Sequence, residues 1–181
     1  MKNAILLHGT GDSPTKYWFP YVVRELKGKG YTVWAPKLPN ASKPNLSDWL
    51  PHVYKNGIFT RNTVIIGHSA GAQLALSLLE KIDKKIKQII LVSSYAEPLP
   101  KKAGVKNKRK FMWKKIKKRA ESFIFINSDN DPWGCTDKQG RIMLNHLGGI
   151  LITPKGQGHM GSTSYRQPYK KFPLLIKLVS D

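Results

Sequence analysis

The chain contains one cysteine, Cys135, in 181 residues. That excludes an internal disulfide and any metal cluster built from cysteines, and it fits a reducing compartment. Acidic residues are also scarce, with 11 Asp and Glu against 31 Lys and Arg and a formal net charge of +20. So few carboxylates narrow any search for an acid to a few positions. No apolar run reaches the ~18 residues of a membrane-spanning helix. The run Ala4-Ile5-Leu6-Leu7 stops at His8-Gly9, too short for the apolar region of a secretory signal, so a cytoplasmic protein is expected. There is no internal repeat and no convincing linker. The length and an apolar content of 40% suit one domain, residues 1–181, with a substantial core.

The basic excess is concentrated. Residues from Glu97 to Glu121 carry eleven Lys or Arg and two Glu. Such a segment favours polyanions, so nucleic acid or an anionic surface is a candidate partner. Phe111 and Trp113 interleave thinly with the charges there, as stacking platforms for bases would.

Hydrophobic patterning predicts strands at 2–7, 31–35, 64–66, 86–92, 122–126 and 150–152. Helices are predicted from Thr15 to Lys29, from Ser47 to Tyr54 with Ser47 as N-cap, and from Gln73 to about Asp83. Three more are predicted from Phe111 to Arg119, from Thr136 to His146 behind a T-x-x-Q capping box, and from Tyr169 to Val179. Residues 94–110 read as a loop or small cap. Strands alternating with helices, several of them apolar throughout, indicate a parallel sheet covered on both faces. Reactive groups in such a sheet gather at the carboxyl ends of the strands.

One stretch carries chemistry. Val64-Ile65-Ile66 ends a strand, Gly67-His68-Ser69-Ala70-Gly71 fits G-x-S-x-G, and a helix follows. Small residues flank the serine because strand and helix pass too close for side chains, and the hydroxyl stands above the positive end of the helix. Ser69 is the candidate nucleophile. A serine hydroxyl needs a base, and the base needs an orienting acid. Of the five histidines, His68 sits on the turn and is expected to point away from Ser69. His8 belongs to the first loop, and His52 and His146 to helices. His159 follows a strand in a loop among Gly156, Gly158 and Gly161, and is the candidate base. Asp129 and Asp131 both follow the fifth strand. Asp131, before Pro132, is preferred, and the order Ser, Asp, His is that of α/β-hydrolases. The N–H groups of Ala70 and Thr10 are the candidate oxyanion donors. The His8–Gly11 loop has neither G-x-G-x-x-G nor the Lys-Ser/Thr of a P-loop. Trp18, Trp133 and Met160 are candidate pocket walls. No metal or organic cofactor is expected.

The set His8-Gly9, Trp18-Phe19-Pro20, Gly67–Gly71, Ile90–Ser93, Asp131-Pro132 and Gly158-His159 resembles the small α/β-hydrolases of the YdeN and retinoblastoma-binding serine hydrolase type. The resemblance runs over nearly the whole chain in the same order. It implies an α/β-hydrolase fold with six parallel strands and minimal or no cap. It also implies a Ser-Asp-His triad on Ser69, Asp131 and His159, and hydrolysis of an ester or amide bond in a small acyl substrate. The basic segment 101–119 departs from the family pattern.

Overall fold

A computed structural model describes residues 1–99, 110–167 and 169–180. Its strands are β1 (Asn3–Leu7), β2 (Thr32–Trp34), β3 (Thr63–His68), β4 (Ile86–Val92), β5 (Ala120–Ile126) and β6 (Ile150–Ile152). They form one parallel sheet in the order β2-β1-β3-β4-β5-β6. Side chains alternate across a strand, so each strand feeds two cores. Ile5, Leu7, Ile65, Ile89, Leu91 and Phe125 enter one, and Ala4, Leu6, Ile66, Ile90, Val92 and Ile126 the other. The first core is closed by α2 (Leu46–Asn56), α3 (Ala70–Lys81), α4 (Trp113–Lys117) and α5 (Asp137–Leu147), the second by α1 (Phe19–Gly28) and α6 (Pro173–Leu178). This is the α/β-hydrolase architecture. From β1 the chain runs outward to β2, then crosses to β3 and proceeds steadily to β6. The direction of winding therefore reverses between β1 and β3, where a doubly wound sheet opens its crevice.

Several elements differ from the sequence expectation for local reasons. Helix α1 begins at Phe19 rather than Thr15, because Tyr17 is held at φ 51° by the preceding turn and cannot be helical. Asn45, not Ser47, caps α2, its side chain accepting the Ser47 N–H at 3.0 Å. The Thr136 side chain makes no capping bond at α5. Gln139 turns instead to the chain leaving β4, where its Oε1 accepts the N–H groups of Ala96 and Glu97. Helix α6 starts at Pro173, since Tyr169 has φ 34°. Trp18 and Met160 are fully buried in the second core and are not pocket walls.

Residues 101–109 of the basic segment, and with them the loop or cap expected over 94–110, lie largely outside the described residues. From Lys110 onward the segment is anchored: Phe111 and Ile116 are buried, and the Trp113 ring stacks on His146 at 4.6 Å. Both aromatics of the segment are thus engaged within the protein. No helix among the described residues is long and apolar enough to cross a membrane.

Candidate active site

Register brings the chemistry to one edge. His68, Val92, Ile126 and Ile152 form a row across β3, β4, β5 and β6, so the turns after these strands leave at the same level. The ladder continues one residue past the row. Ser69 N–H reaches Val92 C=O at 3.0 Å, Ser93 N–H reaches Ile126 C=O at 2.8 Å, and Asn127 N–H reaches Ile152 C=O at 3.1 Å.

Ser69 has φ 54° and ψ −121°, a conformation that a side-chain-bearing residue adopts only under constraint. The constraint is the approach of three backbones. A Cβ on Gly67 would stand 2.7 Å from Ala72 Cα, and one on Gly71 would drive into the carbonyl oxygens of Leu7 and His8. A Cβ on Gly9, in the loop after β1, would stand 2.9 Å from Ser69 Cβ. The glycines therefore let β1, β3 and α3 converge under the serine and push its hydroxyl outward.

The loops after β5 and β6 are joined residue by residue. Ser128 Oγ accepts Gln157 N–H at 2.9 Å, Asp129 Oδ1 accepts Gly156 N–H at 2.8 Å, and Asn130 Oδ1 accepts Gly158 N–H at 2.7 Å. Asp131 Oδ2 then accepts Nδ1–H of His159 at 2.7 Å. Asp131 and Asp129 are thus separated by role: Asp131 meets the imidazole, while Asp129 shapes the neighbouring turn. The second Asp131 oxygen accepts Trp133 N–H at 2.8 Å, so both oxygens of this buried carboxylate are satisfied. Asn127, fully buried, holds the base of the acid loop by donating to the carbonyls of Ser94 and Cys135.

His68 has a role that sequence patterning did not give. Its ring reaches the His159 backbone. The His159 carbonyl accepts from His68 Nε2–H and from Ser93 Oγ–H, each at 2.9 Å. Because a carbonyl only accepts, the proton of His68 sits on Nε2. Its Nδ1 is buried with no partner among the described residues. Burial first, and next the charge of neighbouring His159, push the His68 imidazole down to about 3. A neutral ring beneath His159 places no positive charge against that imidazole. The only sequence signal was adjacency to Ser69. His8 is likewise structural: its Nε2 accepts Leu38 N–H at 3.0 Å, and burial lowers its pKa.

Ser69, His159, Thr10, Ala70 and Trp133 line one open cavity of about 880 Å³, within the ~300–1,000 Å³ range of small-molecule sites. The Ser69 hydroxyl and the His159 ring share this wall without a hydrogen bond between them. Such contacts are often long before substrate arrives. The N–H of Ala70, which opens α3, and that of Thr10 have no acceptor among the described residues. Asp131, Cys135 and His159 also present one ligand atom each within 4.8 Å of one another. A single cysteine rules out a cysteine cluster, but not this mixed set. A cation held there would compete with the hydrogen bond that now joins the carboxylate and the imidazole.

Comparison with known proteins gives the family of the chain. Residues 4–180 match the model of the serine hydrolase family. YdeN of Bacillus subtilis strain 168, a hydrolase by name, is 34% identical over 103 residues, which span 55% of this chain and 54% of YdeN. Serine hydrolase RBBP9 of Rattus norvegicus is 28% identical over 164 residues, covering 88% of this chain and 87% of that protein. The crystal structure of the B. subtilis ydeN product superposes with a TM-score of 0.88 at 24% identity, over 98% of this chain and 96% of that one. The esterase EaEST of Exiguobacterium antarcticum shares the fold at a TM-score of 0.69 and 12% identity, over 98% and 91% of the two chains. With its α/β sheet, its serine turn and a family match running from the first strand to the last helix, the chain belongs to the serine hydrolase family.

Proposed function

We propose that this hydrolase cleaves carboxylic esters through an acyl-enzyme formed on Ser69. The observation that carries the reading is the buried Asp131–His159 pair at 2.7 Å on the wall of the cavity that holds the strained Ser69 turn. His159 Nε2 takes the Ser69 proton as the hydroxyl attacks the carbonyl, then returns it to the leaving alcohol. Asp131 keeps Nδ1 protonated, leaving Nε2 free as base, and stabilises the imidazolium. The developing oxyanion is received by the amides of Ala70 and Thr10, each such donor being worth ~10²–10³ in turnover. Water then repeats the sequence on the acyl-enzyme. An ester asks less of the acid step than an amide, whose nitrogen must be protonated before it leaves, and the fold is one that an esterase uses.

The test is labelling with a fluorophosphonate probe alongside hydrolysis of p-nitrophenyl esters of graded acyl length. Labelling and turnover are expected in the wild type and lost in Ser69→Ala. A wild type that neither labels nor turns over any ester would overturn the proposal.

A further inference from the structure

Asp12 lies in the loop after β1, three residues past the glycine that packs on Ser69. It is only 8% exposed, yet it lines the same cavity as Ser69 and His159. Its Oδ1 accepts Ser13 N–H at 2.7 Å. Its Oδ2 is buried and has no partner among the described residues. Among the described residues three buried side-chain atoms share that condition, Asp12 Oδ2, His68 Nδ1 and Arg119 Nε, and among these Asp12 is the one acid. The contrast with Asp131, both of whose oxygens are satisfied, is direct. Lys16 could neutralise Asp12 but donates instead to the Gly11 carbonyl at 3.3 Å, at the exposed surface. Burial raises the Asp12 carboxyl to about 6, against smaller opposing effects from the Ser13 amide, Lys16 and His159.

A carboxylate withdrawn from water with one oxygen left without a donor costs the folded state free energy. The serine–histidine–aspartate relay makes no use of it. An unpaired acid retained at such a cost on a reaction pocket wall is explained by a ligand that completes it.

We propose that Asp12 is a substrate-binding residue that receives a cationic nitrogen, an ammonium or guanidinium, carried by the ester on its acyl or alcohol side. The inference rests on the serine-hydrolase reading of the same pocket and narrows its substrate class to esters bearing a positive charge. The ligand cation gains a buried carboxylate, and that carboxylate gains a donor for Oδ2.

The experiment compares p-nitrophenyl esters of ω-amino acids with the unsubstituted acyl esters of equal length, and aminoalkyl esters of one acid with its alkyl esters. A charge-assisted bond of this kind should favour the cationic member by about 10–100-fold in kcat/KM at its best length. Asp12→Asn and Asp12→Ser should abolish that preference, and Asp12→Glu should shift it to a different chain length. A second readout needs no turnover. Hexylammonium should raise the melting temperature of the wild type more than hexanol does, and the difference should vanish in both neutral variants. Wild-type protein that labels with fluorophosphonate but shows neither preference nor the hexylammonium shift would refute the role of Asp12 and leave the hydrolase standing. Absence of labelling with a hexylammonium shift that depends on Asp12 would sink the hydrolase reading and keep the cation site.

Discussion

Replacing His68 by Gln tests whether the ring beneath His159 is held neutral. Gln keeps a donor for the His159 carbonyl and removes the titration. In the wild type the folded imidazole titrates near 3 against 6.5 when exposed. Its folded pKa is depressed, so its contribution to stability is complete above the unfolded value and is lost as pH falls toward 3. Between pH 7 and pH 5 the unfolded chain gains about 0.7 proton at this position, and integrating the proton uptake over the interval at 1.36 kcal/mol per proton per pH unit gives a loss of about 2 kcal/mol. Asp12 acts in the opposite direction. Its raised pKa means that the folded state regains stability as pH falls through about 6, by about 1 kcal/mol over the same interval. Asp12, and His8 with its lowered pKa, are common to wild type and variant, so they cancel in the comparison. Urea unfolding at pH 7 and pH 5 should therefore show His68→Gln losing about 2 kcal/mol less on acidification than the wild type. Equal losses in the two proteins would refute a neutral buried His68.

Three further substitutions probe the site and its scaffold. Asp131→Asn should lower kcat on a p-nitrophenyl ester by about 10⁴-fold by removing control of the His159 tautomer. Asp129→Asn, which touches only the turn bonds from Gly156 N–H and Ser128 Oγ–H, should change kcat by less than about tenfold, and comparable losses in both would contradict the division of roles. Gly71→Ala should destabilise the fold by about 3 kcal/mol or more in chemical denaturation, because the added methyl meets the Leu7 and His8 carbonyls. A variant of unchanged stability would mean that β1 and α3 are not in close approach.

The alternation of strands and helices was legible because each apolar strand and amphipathic helix announces its own period. The Ser69 turn was legible because its strain and its glycines are local. Boundaries were less so. Tyr17, Tyr169 and Gln139 are fixed by long-range packing and turn geometry, which displaced the starts of α1 and α6 and left α5 without its side-chain cap. Trp18 and Met160 read as pocket walls because a large apolar side chain near a loop looks the same whether it faces solvent or core.

By itself the sequence determined a parallel sheet with a serine at its carboxyl edge, and reduced the possible bases and acids to a few. Scarcity made that possible, since five histidines and eleven acids leave little to choose among. Only the tertiary structure decided which of two aspartates, two positions apart, meets His159, because both lie in one loop and the choice depends on how that loop zips to the next. It alone brought out His68 and Asp12 as well. Whether a polar atom is buried, and whether it finds a partner there, depends on residues far along the chain, and no local pattern records it.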